Sequence, residues 1–343
     1  MLVACKVLVW SALLWQGAGA WMRVGASPRG SLTVLQSTHT ALADISVFDG
    51  VLDGGDADTL SAFETSCAAL GSSHWLYNRS LNKEVLGDVG TLLEQLLTSL
   101  QDDAPFVELW RREDWMNLDA HRDVDEVLAR RTDDSYALRC PTHAHVLYIQ
   151  VGQEVQGPTC LWLESAPTEP VQIDTLVTVP ARSGRLLRFP GDAIHSVPRP
   201  PLCYLDPEEG GTNLEIFSRR RNELESSPEL RRSVLLFNTW RTPPAEVRSL
   251  PPPPVREKET ARSRLLRARQ DWRVIPISAV PSKPKPTSQG PVHLKLGVLG
   301  DRRRRFAADN AWLHLYSQNS GVKAALEAKE AVYSTALVQN TTA

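Results

Sequence analysis

Several features are scarce or missing in this 343-residue chain. It lacks a charge imbalance, with 38 basic against 40 acidic side chains and a net charge of −2 at pH 7. That excludes a histone-like polycation. Cysteine is sparse: of Cys5, Cys67, Cys140, Cys160 and Cys203, none falls at a zinc-ribbon or zinc-finger spacing. Four cysteines remain beyond the first twenty residues, which permits two disulfides without implying them at this length. No internal repeat is visible, so solenoids and propellers are excluded. Beyond residues 2–15 no long apolar run occurs, so no membrane span is expected in the body of the chain. No acidic residue precedes Asp44.

Residues 2–15, LVACKVLVWSALLW, carry only Lys6 as a charge, and Ala18-Gly19-Ala20 follows as a small-residue cleavage pattern. Residues 1–20 therefore read as a secretory signal peptide, too short for a comfortable span. Residues 21–43 are acid-free and contain Arg and Ser, a transit-like composition. The expected compartment is the secretory pathway, with a complex plastid reached through a bipartite presequence as the alternative. Asn78-Arg79-Ser80 and Asn340-Thr341-Thr342 are glycosylation acceptors on that route.

What is present divides the body into three parts. Residues 44–104 read as a helical support region. Its clearest element is Asp88–Leu100, where Leu92, Leu93, Leu96, Leu97 and Leu100 share one helical face fit to pack on a sheet. From 105 to 245 the pattern turns to short strands separated by Gly/Pro turns: Phe106–Trp110, His145–Val151, Thr159–Leu163, Leu176–Val179, Arg185–Phe189 and Ser233–Trp240. Such spacing indicates an antiparallel sandwich or barrel. Residues 246–343 open on Pro251–Pro254, which favours polyproline II. They read as a Pro-rich, basic, partly disordered tail with a basic helix over 256–273, a linker over 280–291 and a helix over 321–339. Residues 251–305 hold fourteen Lys/Arg against four Asp/Glu, so the rest of the chain is mildly acidic. The Arg302–Arg305 run reads as solvated charge, with no clear nucleic-acid signature.

The chemistry concentrates in two segments. VELWRREDWMNLDAHRDVDE, residues 107–126, contains His121-Arg122-Asp123, and at a strand end alternation sends His121 and Asp123 to one face. His195, in FPGDAIHSVP, follows a strand and a Pro-Gly turn. Two imidazoles and one carboxylate on one side of a metal leave three positions open, the facial triad of non-haem Fe(II) oxygenases. Arg231 and Ser233 share a face of the strand that follows. An Arg–Ser pair can hold a carboxylate by a charge-assisted fork and a hydroxyl donor. Arg232 is the alternative anchor, and Arg199 competes with both. His143 and His145 are rival metal ligands, but no carboxylate stands beside them at ligand spacing. His121-Arg122-Asp123 also matches the kinase catalytic-loop triplet. That reading requires Asn at 128, where Leu128 stands, together with motifs that are missing. Trp110 and Trp115 read as core aromatics, and Asp125 and Glu126 as structural or solvated.

The order of HxD, a strand after Gly157-Pro158-Thr159, FPGDxxH and an Arg leading a strand resembles the Fe(II)/2-oxoglutarate-dependent dioxygenase superfamily, in its prolyl-4-hydroxylase-like branch. The resemblance covers about residues 105–241. It implies a mainly β fold, a double-stranded β-helix or jelly roll, with supporting helices. It implies His121, Asp123 and His195 as Fe(II) ligands, Arg231 with Ser233 as the 2-oxoglutarate anchor, and Tyr148 as a further co-substrate contact. The implied reaction uses O2, with ascorbate as an accessory reductant, and hydroxylates a small molecule or peptide, peptidyl proline being one candidate. Asp123 argues against halogenation, since family halogenases lack that carboxylate. Two departures stand out: Lys is the usual anchor in this branch, and residues 200–230 form a long insert. They motivate an alternative, a non-catalytic jelly-roll binding module. A third reading is an interaction protein acting through the basic tail.

Overall fold

The computed structural model describes residues 42–52, 57–71, 73–80, 87–112, 117–131, 138–155, 157–166, 172–199, 201–205, 232–250, 268–269, 271–280, 291–298 and 311–339. All belong to one unit, Ser37–Ala343. The leader and all but the last two residues of the transit-like segment lie outside the described residues, as do Trp115, Arg231, Arg302–Arg305 and Asn340.

Two sheets face each other. Sheet 1 runs β11 (Arg248–Ser249), β2 (Trp75–Asn78), β3 (Phe106–Arg112), β10 (Arg232–Trp240), β5 (His143–Val151), β8 (Arg185–Pro190), β1 (Ser46–Asp49) and β12 (Arg273–Val274). Sheet 2 runs β13 (Ile277–Ala279), β16 (Val332–Ala336), β7 (Gln172–Val179), β6 (Thr159–Ala166), β9 (Ile194–Val197), β4 (Leu118–His121), β14 (Val292–Val298), β15 (Ala311–Ser317) and β17 (Val338–Gln339). From β3 to β10 the chain passes back and forth between the sheets, with β6 and β7 the one consecutive pair in a single sheet. That winding is the double-stranded β-helix expected of the sequence. All six strands read from the sequence between 106 and 240 are present, each extended by one to four residues.

The helices are α1 (Ala57–Ala68), α2 (Asp88–Ser99), α3 (Glu126–Arg131) and α4 (Val322–Glu327). Leu92, Leu93, Leu96 and Leu97 of α2 are fully buried and pack with Val107, Leu109, Leu147, Leu235 and Phe237 of sheet 1. Each such leucine contributes about 1.5–3 kcal/mol of transfer free energy. This apolar layer makes the outer face of sheet 1 a rigid backing. A second cluster lies between the sheets, with Val146, Tyr148, Leu161, Val177, Leu187, Phe189 and Val234.

The region 44–104 is not purely helical, because β1 and β2 are strands of sheet 1. The larger correction concerns residues 246–343. Their described parts are packed into the fold: β11 to β17 extend both sheets, and α4 packs with β14, β15 and the back of sheet 2 through Leu294, Leu296, Leu313, Leu315, Val322 and Leu326. In VHLKLGV, Val292, Leu294 and Leu296 are buried while His293 and Lys295 are exposed, a period-two pattern that the basic, Pro-rich surroundings conceal. The helix expected over 321–339 covers only Val322–Glu327. The remainder pairs with β7 and β15 because VYSTA is β-branched and aromatic. The basic helix and linker expected over 256–291 fall largely outside the described residues. Of the parts described, Arg273–Val274 and Ile277–Ala279 are strands.

Cys67, Cys140, Cys160 and Cys203 are free thiols. Burial pushes the Cys203 thiol up to about 12. Among the described residues, no helix is long and apolar enough to cross a membrane.

Candidate metal centre

His121 ends β4 and His195 lies in β9, and the two stand directly opposite each other in the antiparallel ladder. Their rings are 4.4 Å apart between centroids. Each ring is oriented from behind by its own strand. His121 Nδ1–H donates to Asp119 O at 2.8 Å, and His195 Nδ1–H donates to Ala193 O at 3.1 Å. A carbonyl can only accept, so Nδ1 carries a proton, and Nε2 is the ring nitrogen that could ligate a metal. Backbone carbonyls orient metal-ligating histidines in this way.

Asp123 follows in an irregular stretch. Its Oδ1 lies 3.8 Å from His121 Nε2 and its Oδ2 lies 3.9 Å from His195 Nε2. These separations are too long for hydrogen bonds. One ligand atom from each of the three residues lies within 4.8 Å of the others, and all three residues are buried. Two atoms bound to one ion at about 2.1 Å can be up to ~4.2 Å apart, so the two carboxylate–imidazole spacings fall within reach of a shared cation. Two ring nitrogens and one carboxylate form a donor set that suits a positive centre. The residues therefore fit the group that the resemblance implies.

The neighbours of Asp123 are pinned. Arg122 donates from Nε to Asp192 O at 3.0 Å and pairs with Glu164, tying the Asp123 segment to the one that carries His195. Asp125 accepts from Leu128 N at 3.0 Å at the start of α3, from Ala245 N at 2.9 Å, and from Arg139. Burial opposes ionisation of Asp125, but these donors outweigh it and hold its carboxyl below the usual range. Asp125 is thus structural. The Asp123 carboxylate itself accepts from Asn238 Nδ2 at 3.1 Å.

A cleft of about 750 Å³, counted with its open mouth, contains the three ligands. Val234, Leu236 and Asn238 of β10 line it together with Arg232. The Arg232 guanidinium lies over the Tyr148 ring, 5.4 Å from its centroid. Tyr148 OH shares a 2.6 Å hydrogen bond with Thr159 Oγ1, and Thr159 also lines the cleft. One part of the lining is therefore cationic and hydroxyl-bearing, Val146, Phe189 and Val197 are apolar, and His74, Arg112, His145 and Asn238 add further polar groups.

Arg232, the alternative anchor of the sequence analysis, is the arginine of β10 that the structure places in the cleft; Arg231 lies outside the described residues. Ser233 is a correction. It is fully buried but does not line the cleft, because it alternates in phase with Leu235 and Phe237, which face the helices. The phase argument for Ser233 chose the wrong side of the sheet. Arg199 is buried and also lies off the cleft lining. Neither rival ligand joins the triad, although His145 borders the cleft beside Ala144 and Val146. His143 Nδ1–H donates to Asp102 at 3.0 Å, and the His145 ring stacks on Phe237 at 4.4 Å while Nδ1–H donates to Phe237 O at 3.1 Å. Trp110 is not simply a core aromatic: it lines the cleft and stacks on His74, with 4.4 Å between ring centroids. Sequence reasoning missed Asn238, Thr159 and His74. A polar Asn within LLFNTW was the one available signal for Asn238.

No protein-family model and no curated protein matches the chain. Among solved structures it is similar to a prolyl-4-hydroxylase from Pseudomonas putida, at 14% identity over 60% of this chain and 86% of that one, with a TM-score of 0.33. It is similar to an oxidoreductase of the 2OG-Fe(II) oxygenase family from Burkholderia pseudomallei, at 11% identity over 61% and 90% of the two chains, with a TM-score of 0.31. It is also similar to HygX from Streptomyces hygroscopicus with iron bound, at 15% identity over 58% and 82%, with a TM-score of 0.29. Superpositions this loose carry no weight for the chemistry, which rests on the residues of the cleft. The chain is similar to structures of prolyl-4-hydroxylase-like, 2OG-Fe(II) oxygenases.

Proposed function

We propose that the protein is an Fe(II)- and 2-oxoglutarate-dependent dioxygenase that hydroxylates a small molecule or a peptide. The observation that carries this reading is the buried gathering of His121, Asp123 and His195, with both Nδ1 atoms tied to backbone carbonyls and both Nε2 atoms turned to the Asp123 carboxylate. Bound Fe(II) would supply the centre at which O2 is reduced while 2-oxoglutarate loses CO2 to become succinate.

The protein's own residues divide the remaining tasks. His121, Asp123 and His195 occupy one side of the ion and leave the side toward the cleft for co-substrates. Arg232 offers a charge-assisted fork to the distal carboxylate of 2-oxoglutarate. The Tyr148–Thr159 hydroxyl pair adds donors at the same end. Val146, Phe189, Val234 and Leu236 exclude water from the space between anchor and triad, which strengthens every polar contact there. Asp123 occupies the position a halide would need, which supports hydroxylation. Peptidyl proline is one candidate substrate, and the leader-like residues 1–20 support delivery to the secretory pathway.

The test is anaerobic and uses the full chain, because residues 273–339 belong to both sheets. Fe(II) is added, 2-oxoglutarate is titrated and the visible spectrum is recorded. The expected result is a charge-transfer band that saturates with 2-oxoglutarate and is lost in Asp123→Ala. A flat spectrum from folded protein overturns the reading and leaves a jelly-roll binding module in its place.

A further inference from the structure

The three ligands are not held equally. The histidines come from two paired strands, opposite each other, each with its ring fastened to a carbonyl two residues back. Asp123 comes from the stretch 122–125, which has no regular structure. Its neighbours Arg122 and Asp125 anchor the stretch through side chains that reach Asp192, Glu164, Arg139 and Ala245. A carboxylate on such a segment can still rotate about its own side-chain bonds.

Asn238 meets that carboxylate from the other sheet. It is 2% exposed, on the cleft side of β10, and donates from Nδ2 to Asp123 Oδ2 at 3.1 Å. We infer that Asn238 is a positioning residue of the metal centre, setting the rotation of the Asp123 carboxylate so that it presents an oxygen to the ion. The inference rests on the metal-centre reading of the triad and adds to it a residue that binds neither metal nor co-substrate.

The choice of an amide has a physical reason. A lysine or arginine at this position would neutralise the carboxylate and compete with the metal for its charge. An amide N–H orients the group and leaves its charge in place. Asn238 also stands six residues from Arg232 on the same face of β10. One strand therefore sets both the carboxylate of the metal centre and the cationic wall of the cleft.

The test reads metal binding alone, with anaerobic Co(II) as the probe and its visible absorption as the signal. The full chain is compared with Asp123→Ala, Asn238→Leu, Asn238→Ser and Trp240→Phe. Asn238→Leu keeps the approximate volume and deletes the donor, and Asn238→Ser serves if the leucine variant does not fold. Trp240 is a buried neighbour on β10 that donates to Glu108 at 3.1 Å and not to the triad, so its variant reports on packing. Loss of an outer partner of a metal ligand costs about 10–100-fold in metal affinity. The expected result is a Co(II) affinity weaker by about that factor in both Asn238 variants, a changed band shape, and wild-type affinity in Trp240→Phe. If wild type binds Co(II) through Asp123 and the folded Asn238 variants bind it equally well, the positioning role is overturned while the centre stands. Equal weakening in Trp240→Phe also overturns it, as a packing effect. If wild type shows no Asp123-dependent Co(II) binding, the centre itself falls.

Discussion

The two faces of sheet 1 are built from different residues and answer to different forces. On β10, Leu235 and Phe237 point to the helices and join an apolar layer with α2. One residue out of step, Arg232 and Asn238 point to the cleft beside Val234 and Leu236. Both faces are closed to water, with Leu236 the one residue of the strand that is only partly buried. The outer face holds the sheet by packing, and the inner face spends buried polar groups on a site. A shift of one residue along the strand thus exchanges a stability position for a functional one.

The sharpest division should come from the triad. Asp123→Ala or His195→Ala is expected to reduce Fe(II)-dependent succinate formation to background in protein that remains folded by circular dichroism. Full activity in either variant would remove the assignment. The outer face should show the reverse. Phe237→Ala is expected to cost about 3–5 kcal/mol in urea denaturation, while the fraction that remains folded keeps its 2-oxoglutarate requirement. A smaller effect separates neighbours. Arg232→Ala removes hydrogen bonds to a charged group worth about 1.5–3 kcal/mol. It should raise the apparent 2-oxoglutarate requirement roughly 10- to 100-fold on that basis. Ser233→Ala should leave it unchanged. The opposite pattern in this adjacent pair would mean that the faces are assigned the wrong way round.

Much of this was legible in the sequence, and the gaps have physical causes. The strands between 106 and 240 announce themselves by β-branched runs between Gly/Pro turns. His121-Arg122-Asp123 and His195 stand out because strand alternation brings their side chains to a common face. The side on which Arg232 and Ser233 fall was not legible. A strand buried on both faces has no hydropathy alternation to tell inside from outside, and the β10–β5 register shifts between Ser233 and Val234. The C-terminal strands were hidden for another reason. VHLKLGV and AWLHLYS alternate cleanly, but they lie among prolines and arginines whose composition suggested a tail. Asn238 was overlooked because its partner Asp123 is 115 residues away in the chain.

The smallest predicted effect tests whether a buried group at the edge of the cleft, outside the triad, is inert to the chemistry. His145 is 1% exposed and packs against Phe237. Burial, aided by the positive charge of Arg188, pulls its pKa down to about 3, against the opposing pull of Asp102. His143 and the Phe237 carbonyl complete its surroundings. His145 is therefore neutral in the folded protein, whereas the unfolded chain protonates it near pH 6.5. Its contribution is fully present above that value and is lost as the pH falls toward 3. From pH 6.5 to 5.5 the loss is about 1 kcal/mol. For Asp102, burial is outweighed by hydrogen bonds from His143 Nδ1–H and Ala104 N–H, so its carboxyl stays well below the usual range. Asp102 therefore weakens the fold only below about pH 4, which leaves the interval from pH 6.5 to 5.5 to His145. His145→Asn keeps a donor for the Phe237 carbonyl and removes the titrating ring. Urea denaturation at pH 6.5 and 5.5 should show the slope of stability with pH reduced by that amount, while the pH profile of succinate formation by folded protein stays where it was. An unchanged stability slope would mean that His145 is not held neutral. A displaced activity profile would mean that His145 acts on the centre from the edge of the cleft.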